Sequence, residues 1–253
     1  AGVNFGKGLP RALSCRGVPV ASVSDLENYG LFPDIQGERS RDLTLSAFSQ
    51  IYGSAMAHDN VAQFIGQTGI DALKGADILR TAPQKYSSAI EYAANPIAQG
   101  MKSIAQVLLA DFGTRVFYTQ HGSFDAHTNG IALQEGLLTD VCSGIYDFYE
   151  DMKQANKSDD VILFVFSEFG RRVKDNGNGT DHGSGGVAFV IGDAVNGGHY
   201  SEYPSLSSNQ LVEGDLKFNV DFRSIYSELL EDWLEVDARP VVKNEYEKLG
   251  FFK

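Results

Sequence analysis

The chain has 253 residues, with 21 Lys and Arg against 33 Asp and Glu and a formal charge of −12. Hydrophobic residues at 43% and charged residues at 21% are ordinary for a folded chain and exclude disorder as the governing state. No apolar run nears the roughly 18–20 residues of a membrane helix, and the net acidity excludes a sequence-independent nucleic-acid binder, which needs a basic face.

The charge is unevenly placed. Residues 1–120 hold ten acids and ten Lys or Arg, whereas residues 121–253 hold 23 and 11, so all of the net charge lies in the second half. Such acidity reads either as a solvated surface or as carboxylates converging on a cation. Residues 1–30 lack the apolar central stretch of a signal peptide. Cys15 and Cys142 are far apart, and their spacing asks for no disulfide.

Residues 1–40 are rich in Gly, Pro and Ser, with one strand-like piece at Val18–Val23. From Leu43 to Leu79 the pattern is helical, with breaks near Gly53, His58 and Gly66. Pro96 opens a further helix at its first turn, in which Ile97, Met101, Ile104, Leu108 and Leu109 keep helical spacing. Gly113 ends it, and Arg115–Tyr118 reads as a strand. Leu137, Leu138, Val141, Cys142, Ile145, Phe148, Tyr149 and Met152 then form one broad apolar stripe, which predicts a buried, inert thiol at Cys142.

Val161–Phe166 is a continuous apolar run, the pattern of a strand buried on both faces. Arg171–Gly186 is polar and glycine-rich, and Val187–Ile191 is a third strand. After a long loop to Asn219, Phe222, Ile225, Tyr226, Leu229, Leu230, Trp233 and Leu234 mark a helix with Asp221 as its N-cap. This order predicts one α/β domain over residues 1–253, with a largely parallel sheet flanked by helices. Residues 1–112 form its loop-rich and helical part, and residues 113–253 carry the site.

Sites in open α/β sheets form beyond the carboxyl ends of the strands. Three segments there carry chemistry. Residues 120–127 include Asp125 and His127. Residues 167–172 include Glu168, Arg171 and Arg172. Residues 178–183 include Asp181 and His182. Imidazole and carboxylate together suit a divalent ion such as Zn²⁺ or Mn²⁺. Asp125 reads equally as the brace of a turn, and Asp181 stands in a glycine-rich loop where Asp is common. A carboxylate at the end of a doubly buried strand, as Glu168 is expected to be, needs Arg171, Arg172 or a metal as partner. Arg171 and Arg172 either balance such carboxylates or clamp an anion bidentately.

These motifs carry a resemblance. His-Gly-Ser-Phe-Asp-Ala-His-Thr-Asn at 121–129, Ser-Glu-Phe-Gly-Arg-Arg at 167–172 and Asn-Gly-Thr-Asp-His-Gly at 178–183 resemble the DUF1501 family, as do Gly197-Gly198, Tyr203-Pro204-Ser205-Leu206 and Asp221–Tyr226. That family is similar to the alkaline phosphatase/sulfatase superfamily. The resemblance implies an alkaline-phosphatase-like α/β fold and a metal-dependent hydrolase of phosphate or sulfate esters. It implies a divalent metal (Zn, Mn, Ca or Mg) held by Asp125, His127, Glu168, Asp181 and His182, with Arg171 and Arg172 on an anionic small-molecule ester. It also implies export, to the periplasm or the cell surface. Phe169 stands where a second-metal histidine is expected. The superfamily's first strand and nucleophile have no counterpart beyond Ser22 and Ser24. The resemblance therefore also implies missing N-terminal strands: an upstream half was removed, or it is a separate fragment or partner chain, or the protein is a shortened relative. The competing expectation is a non-catalytic binding or assembly component with a degraded metal site.

Overall fold

The computed structural model describes residues 2–14, 18, 20–30, 35, 37–55 and 60–253. The chain is mixed α/β and divides into two compact units, Ala1–Gly122 with Leu137–Ala155, and Ser123–Gly136 with Asn156–Lys253.

In the first unit, β1 (Gly2–Phe5) lies between β2 (Val20–Val23) and β3 (Val116–Thr119), parallel to both. Val3, Asn4 and Phe5 are all buried, so β1 is the strand covered on both faces. Its short Gly-Val-Asn-Phe sequence, with two residue types depleted in strands, hid it from pattern reading. The Asn4 side chain donates to the Gly8 carbonyl at 2.8 Å and to Ser22 Oγ at 2.7 Å. Ser22 is thus tied into the sheet. Residues 2–23 supply two of the three parallel strands, where a single strand was expected.

Two helices follow, α1 (Glu38–Ala55) and α2 (Asn60–Leu79), which pack on each other. His58, one expected break, lies outside the described residues, as does Cys15. After the short α3 (Ala82–Lys85) comes α4 (Pro96–Leu109). Asn95 caps α4 by accepting from the Ala98 amide at 2.8 Å, and Pro96 fills the first turn. Its buried stripe includes Ile97, Met101 and Ile104, as the spacing predicts.

The long α5 (Gly130–Gln154) approaches α4 so closely that a Cβ on Gly144 would stand 3.1 Å from Ala98 Cα. Phe148 and Met152 are buried. The other edge of the predicted stripe is not: Leu138 is half-exposed, and Cys142 is exposed rather than buried. A helix this broad in its apolar pattern covers the core with only part of it. Asp151, buried on α5, accepts from the hydroxyls of Tyr86 at 2.6 Å and Tyr92 at 2.8 Å. Burial and this carboxylate push the Tyr86 hydroxyl up to about 12 and raise that of Tyr92 further.

The second unit is antiparallel where strands pair. β4 (Leu163–Val165) pairs with β7 (Phe189–Ile191), and β5 (Gly170–Asp175) pairs with β6 (Thr180–Gly183) across a bulge. The largely parallel sheet expected for the whole chain is therefore confined to the first unit. Val161–Phe166 also departs from expectation. The strand is shorter, half-buried along Leu163–Val165, and is followed by an exposed Phe166. A short apolar run fits a half-covered antiparallel strand as well as a doubly buried one.

Asp221 caps α6 (Phe222–Glu228) by accepting from the Arg223 amide at 2.9 Å. The helix runs on as a π-helical turn, Leu229–Trp233, and α7 (Arg239–Val242) follows. Glu228 is fully buried, and its carboxylate accepts from the amides of Leu249, Gly250, Phe251 and Phe252 at 2.5–3.2 Å. That side chain, with the backbone pairing of Asn196 on Phe251, holds the segment 249–252.

Candidate metal centre

The site lies wholly in the second unit and joins two stretches of chain. One is the loop 123–129, whose ends turn through Ser123 (φ 72°) and Asn129 (φ 51°) in the left-handed region. The other is the β5–β6 hairpin. Its turn is closed by the Asn176 amide on the Gly179 carbonyl at 2.9 Å and by Asp175 accepting from the Gly177 amide at 2.6 Å. The turn touches the loop: the Asn129 amide donates to the Asn178 carbonyl at 3.4 Å. Gly179 is obligatory there, because a Cβ would lie 2.6 Å from the His127 carbonyl oxygen.

Asp125 is the hub. Its Oδ1 meets His182 Nε2 at 2.6 Å and His127 Nε2 at 2.9 Å. His127 Nδ1 meets Asp181 Oδ1 at 2.9 Å, and Asp181 Oδ1 also accepts from Asn176 Nδ2 at 2.9 Å. Carboxylates only accept, so each His127 nitrogen donates to the one it faces; ligation through Nε2 would require that nitrogen to give up its proton in favour of the ion while Nδ1–H stays on Asp181. The Asp181 contact, then Asp125, raises the His127 pKa. The His182 hydrogen bond holds the Asp125 carboxyl below its usual range, and Asn176 followed by His127 does the same for Asp181.

One ligand atom each from Asp125, His127 and His182 lies within 4.8 Å of the others, close enough to share an ion, and all three residues are exposed. Among the described residues this is the one such group. Two imidazoles and a carboxylate suit zinc or a neighbouring transition ion better than Ca²⁺ or Mg²⁺, which prefer oxygen. His127 has the arrangement typical of a ligating histidine, one ring nitrogen toward the shared point and the other on a carboxylate. Asp181 therefore stands behind His127, not beside Asp125. Glu168 is exposed between β4 and β5 and is outside the group. The premise that it needs a buried partner fails with the burial of its strand, since water solvates it.

The two arginines differ. Arg171 donates from its two terminal nitrogens to the carbonyls of Thr180 at 2.9 Å and Phe124 at 2.8 Å. Arg172 is exposed and donates its Nε to the His182 carbonyl at 3.1 Å. Its charge helps hold the Asp181 and Asp215 carboxyls low, after nearer hydrogen bonds.

Phe169 stacks on His182 with ring centres 4.0 Å apart and planes 5° from parallel, and His182 stacks on His127 at 4.9 Å. Sequence reasoning counted Phe169 as a lost ligand and did not see it as a wall. It also missed Asn176 and Asp215, which accepts from the Ser184 amide at 3.0 Å. Nothing in their local sequence separates them from turn residues. His199 stacks on Tyr203 away from the group, and His121 stands in the first unit, 3.7 Å from Asp140.

A mixed α/β chain with an exposed Asp/His/His group on a loop and a hairpin is the class that fold and site define. Residues 35–241 match the family described as "Protein of unknown function (DUF1501)", and the chain belongs to that family. No curated protein and no solved structure matches it.

Proposed function

We propose that Asp125, His127 and His182 form a divalent-metal centre of a hydrolase acting on phosphate or sulfate esters, in the manner of the alkaline phosphatase/sulfatase superfamily that the motifs resemble. The observation that carries the metal part is the double engagement of His127, Nε2 toward Asp125 and Nδ1 on Asp181. A bound divalent ion supplies Lewis acidity to an ester oxygen. Asp125 and the two histidines hold it, and Asp181 with Asn176 fixes the His127 ring. Arg171, with both terminal nitrogens bonded to carbonyls, braces the centre, and Arg172 adds positive charge beside Asp181.

Elemental analysis of the purified protein, with arylphosphatase and arylsulfatase assays before and after chelation, tests this reading. We expect about one equivalent of transition metal, with ester hydrolysis lost on chelation and on Asp125→Asn. A metal-free protein inert toward both ester classes overturns it.

The second reading is a binding or assembly component that keeps the site's shape without turnover. It is favoured by Phe169 standing against His182 where a further ligand would add chemistry. It predicts metal uptake with no hydrolysis, and Asp125→Asn then changes only metal content and melting temperature.

A further inference from the structure

We propose that Arg171 is the positioning residue of this centre: its guanidinium staples the loop bearing Asp125 and His127 to the strand bearing Asp181 and His182. The inference rests on the metal reading above and adds to it how a site made from two distant segments keeps its spacing.

The acceptors are telling. Phe124 immediately precedes Asp125, and Thr180 immediately precedes Asp181. Arg171 NH2 donates to the first and NH1 to the second, at 2.8 and 2.9 Å. Each fork of the guanidinium thus fixes a backbone point one residue from a side chain of the site. The nearest carboxylate oxygen, Asp125 Oδ1, is 4.0 Å away, and the Arg171 side chain is only 18% exposed. A guanidinium so placed is a fork between two peptides rather than the close partner of a carboxylate.

The strand register explains why Arg171 has this role and Arg172 does not. Arg171 pairs directly with His182 across β5 and β6, and directly paired residues project on the same face. Phe169, immediately before β5, reaches the same cluster. The guanidinium carbon lies 5.1 Å from the centre of the Phe169 ring, whose stacking on His182 completes a layered series of cation, phenyl and imidazole. Arg172, one residue on, projects to the other face. Arg171 therefore sets both the distance between the segments and, through Phe169, the plane of one ligating ring. A lysine cannot replace it, because one ammonium lacks the planar fork that reaches two carbonyls at once.

The test uses the full chain with Zn²⁺ and Co²⁺ as probes. Zn²⁺ affinity is read by competition with a chromophoric chelator, and the geometry of the Co²⁺ form by its visible d–d absorption. Arg171→Gln and Arg171→Lys should each weaken Zn²⁺ binding by about 10- to 100-fold, the usual effect of removing an outer-shell support, and should shift the Co²⁺ band, with far-UV circular dichroism unchanged. Phe169→Leu leaves the fork intact and should shift the band with a smaller loss of affinity. His182→Ala should abolish binding. If both Arg171 variants bind Zn²⁺ as the parent does and keep its Co²⁺ spectrum, the positioning role is wrong while the metal reading stands. If the parent binds neither ion, the metal reading fails and takes the inference with it. Should Arg171→Gln not fold, Arg171→Lys alone decides between these outcomes.

Discussion

Gly179 shows how much of the site depends on a residue with no side chain. With only 2.6 Å between its missing Cβ and the His127 carbonyl, Gly179→Ala must displace either the hairpin turn or the loop. We expect a stability loss on the order of 1–3 kcal/mol, typical of overpacking, read from urea denaturation, together with weaker Zn²⁺ binding. Unchanged metal affinity with a lowered denaturation midpoint would show that the loop yields without moving His127. At this scale the sequence was informative for the side chains that converge and silent for their supports. Asp125, His127 and His182 are chemically conspicuous and flank strand-like segments. Gly179, Asn176 and Phe169 act through distance and ring plane, which no local pattern records. Glu168 was misjudged because its importance was inferred from the burial of a neighbouring strand and not from its own chemistry.

At the scale of elements, the tie between α6 and the segment 249–252 is the most exposed to test. Glu228 accepts four backbone hydrogen bonds with no accessible surface of its own. Glu228→Ala leaves four amides without that acceptor, and a loss on the order of 3 kcal/mol or more is expected from unsatisfied buried donors. Chemical denaturation and proteolysis near residue 249 would report it. Retained protection of that segment in the variant would mean that its strand-like pairing, Asn196 to Phe251 and Lys253 to Ala194, holds it alone. Helices were the legible elements: Pro96 marks the first turn of α4 and Asp221 the cap of α6, both in sequence. The strands were less so. In β1 a buried Asn4 interrupts the apolar run, and its compensation by Gly8 and Ser22 is visible only in three dimensions. The Val161–Phe166 run has the right composition for either sheet type, and pairing partners rather than pattern decided the outcome.

For the molecule as a whole, the two units differ in what pH will do to them. In the first, burial and then Asp151 push the Tyr86 hydroxyl up to about 12, from 10.0 for an unperturbed tyrosine. A raised folded value means the contribution is complete below pH 10 and is lost as pH climbs through 12, because the unfolded chain releases its proton first. Stability should therefore fall across pH 10–12, and absorbance titration at alkaline pH should show a late tyrosine that Tyr86→Phe removes. Amplitude lost by the variant near pH 10 instead of near 12 would place that hydroxyl in an ordinary environment. The division itself was not legible. Composition and element order favoured one α/β domain because they report which elements exist, and contacts between distant segments are written in no single stretch of chain.

The separation of the ligands along the chain has one more consequence. Asp125 and His182 are 57 residues apart in sequence, so an ion shared between them closes a loop, as a covalent bridge would. By the chain-entropy relation used for disulfides, closing a loop of that length removes about 4 kcal/mol of freedom from the unfolded ensemble. Under the proposed reading the ion is then a reversible cross-link as well as a reagent. Scarcity of metal would loosen the second unit's architecture along with its chemistry, coupling how long the protein lasts to whether it can act.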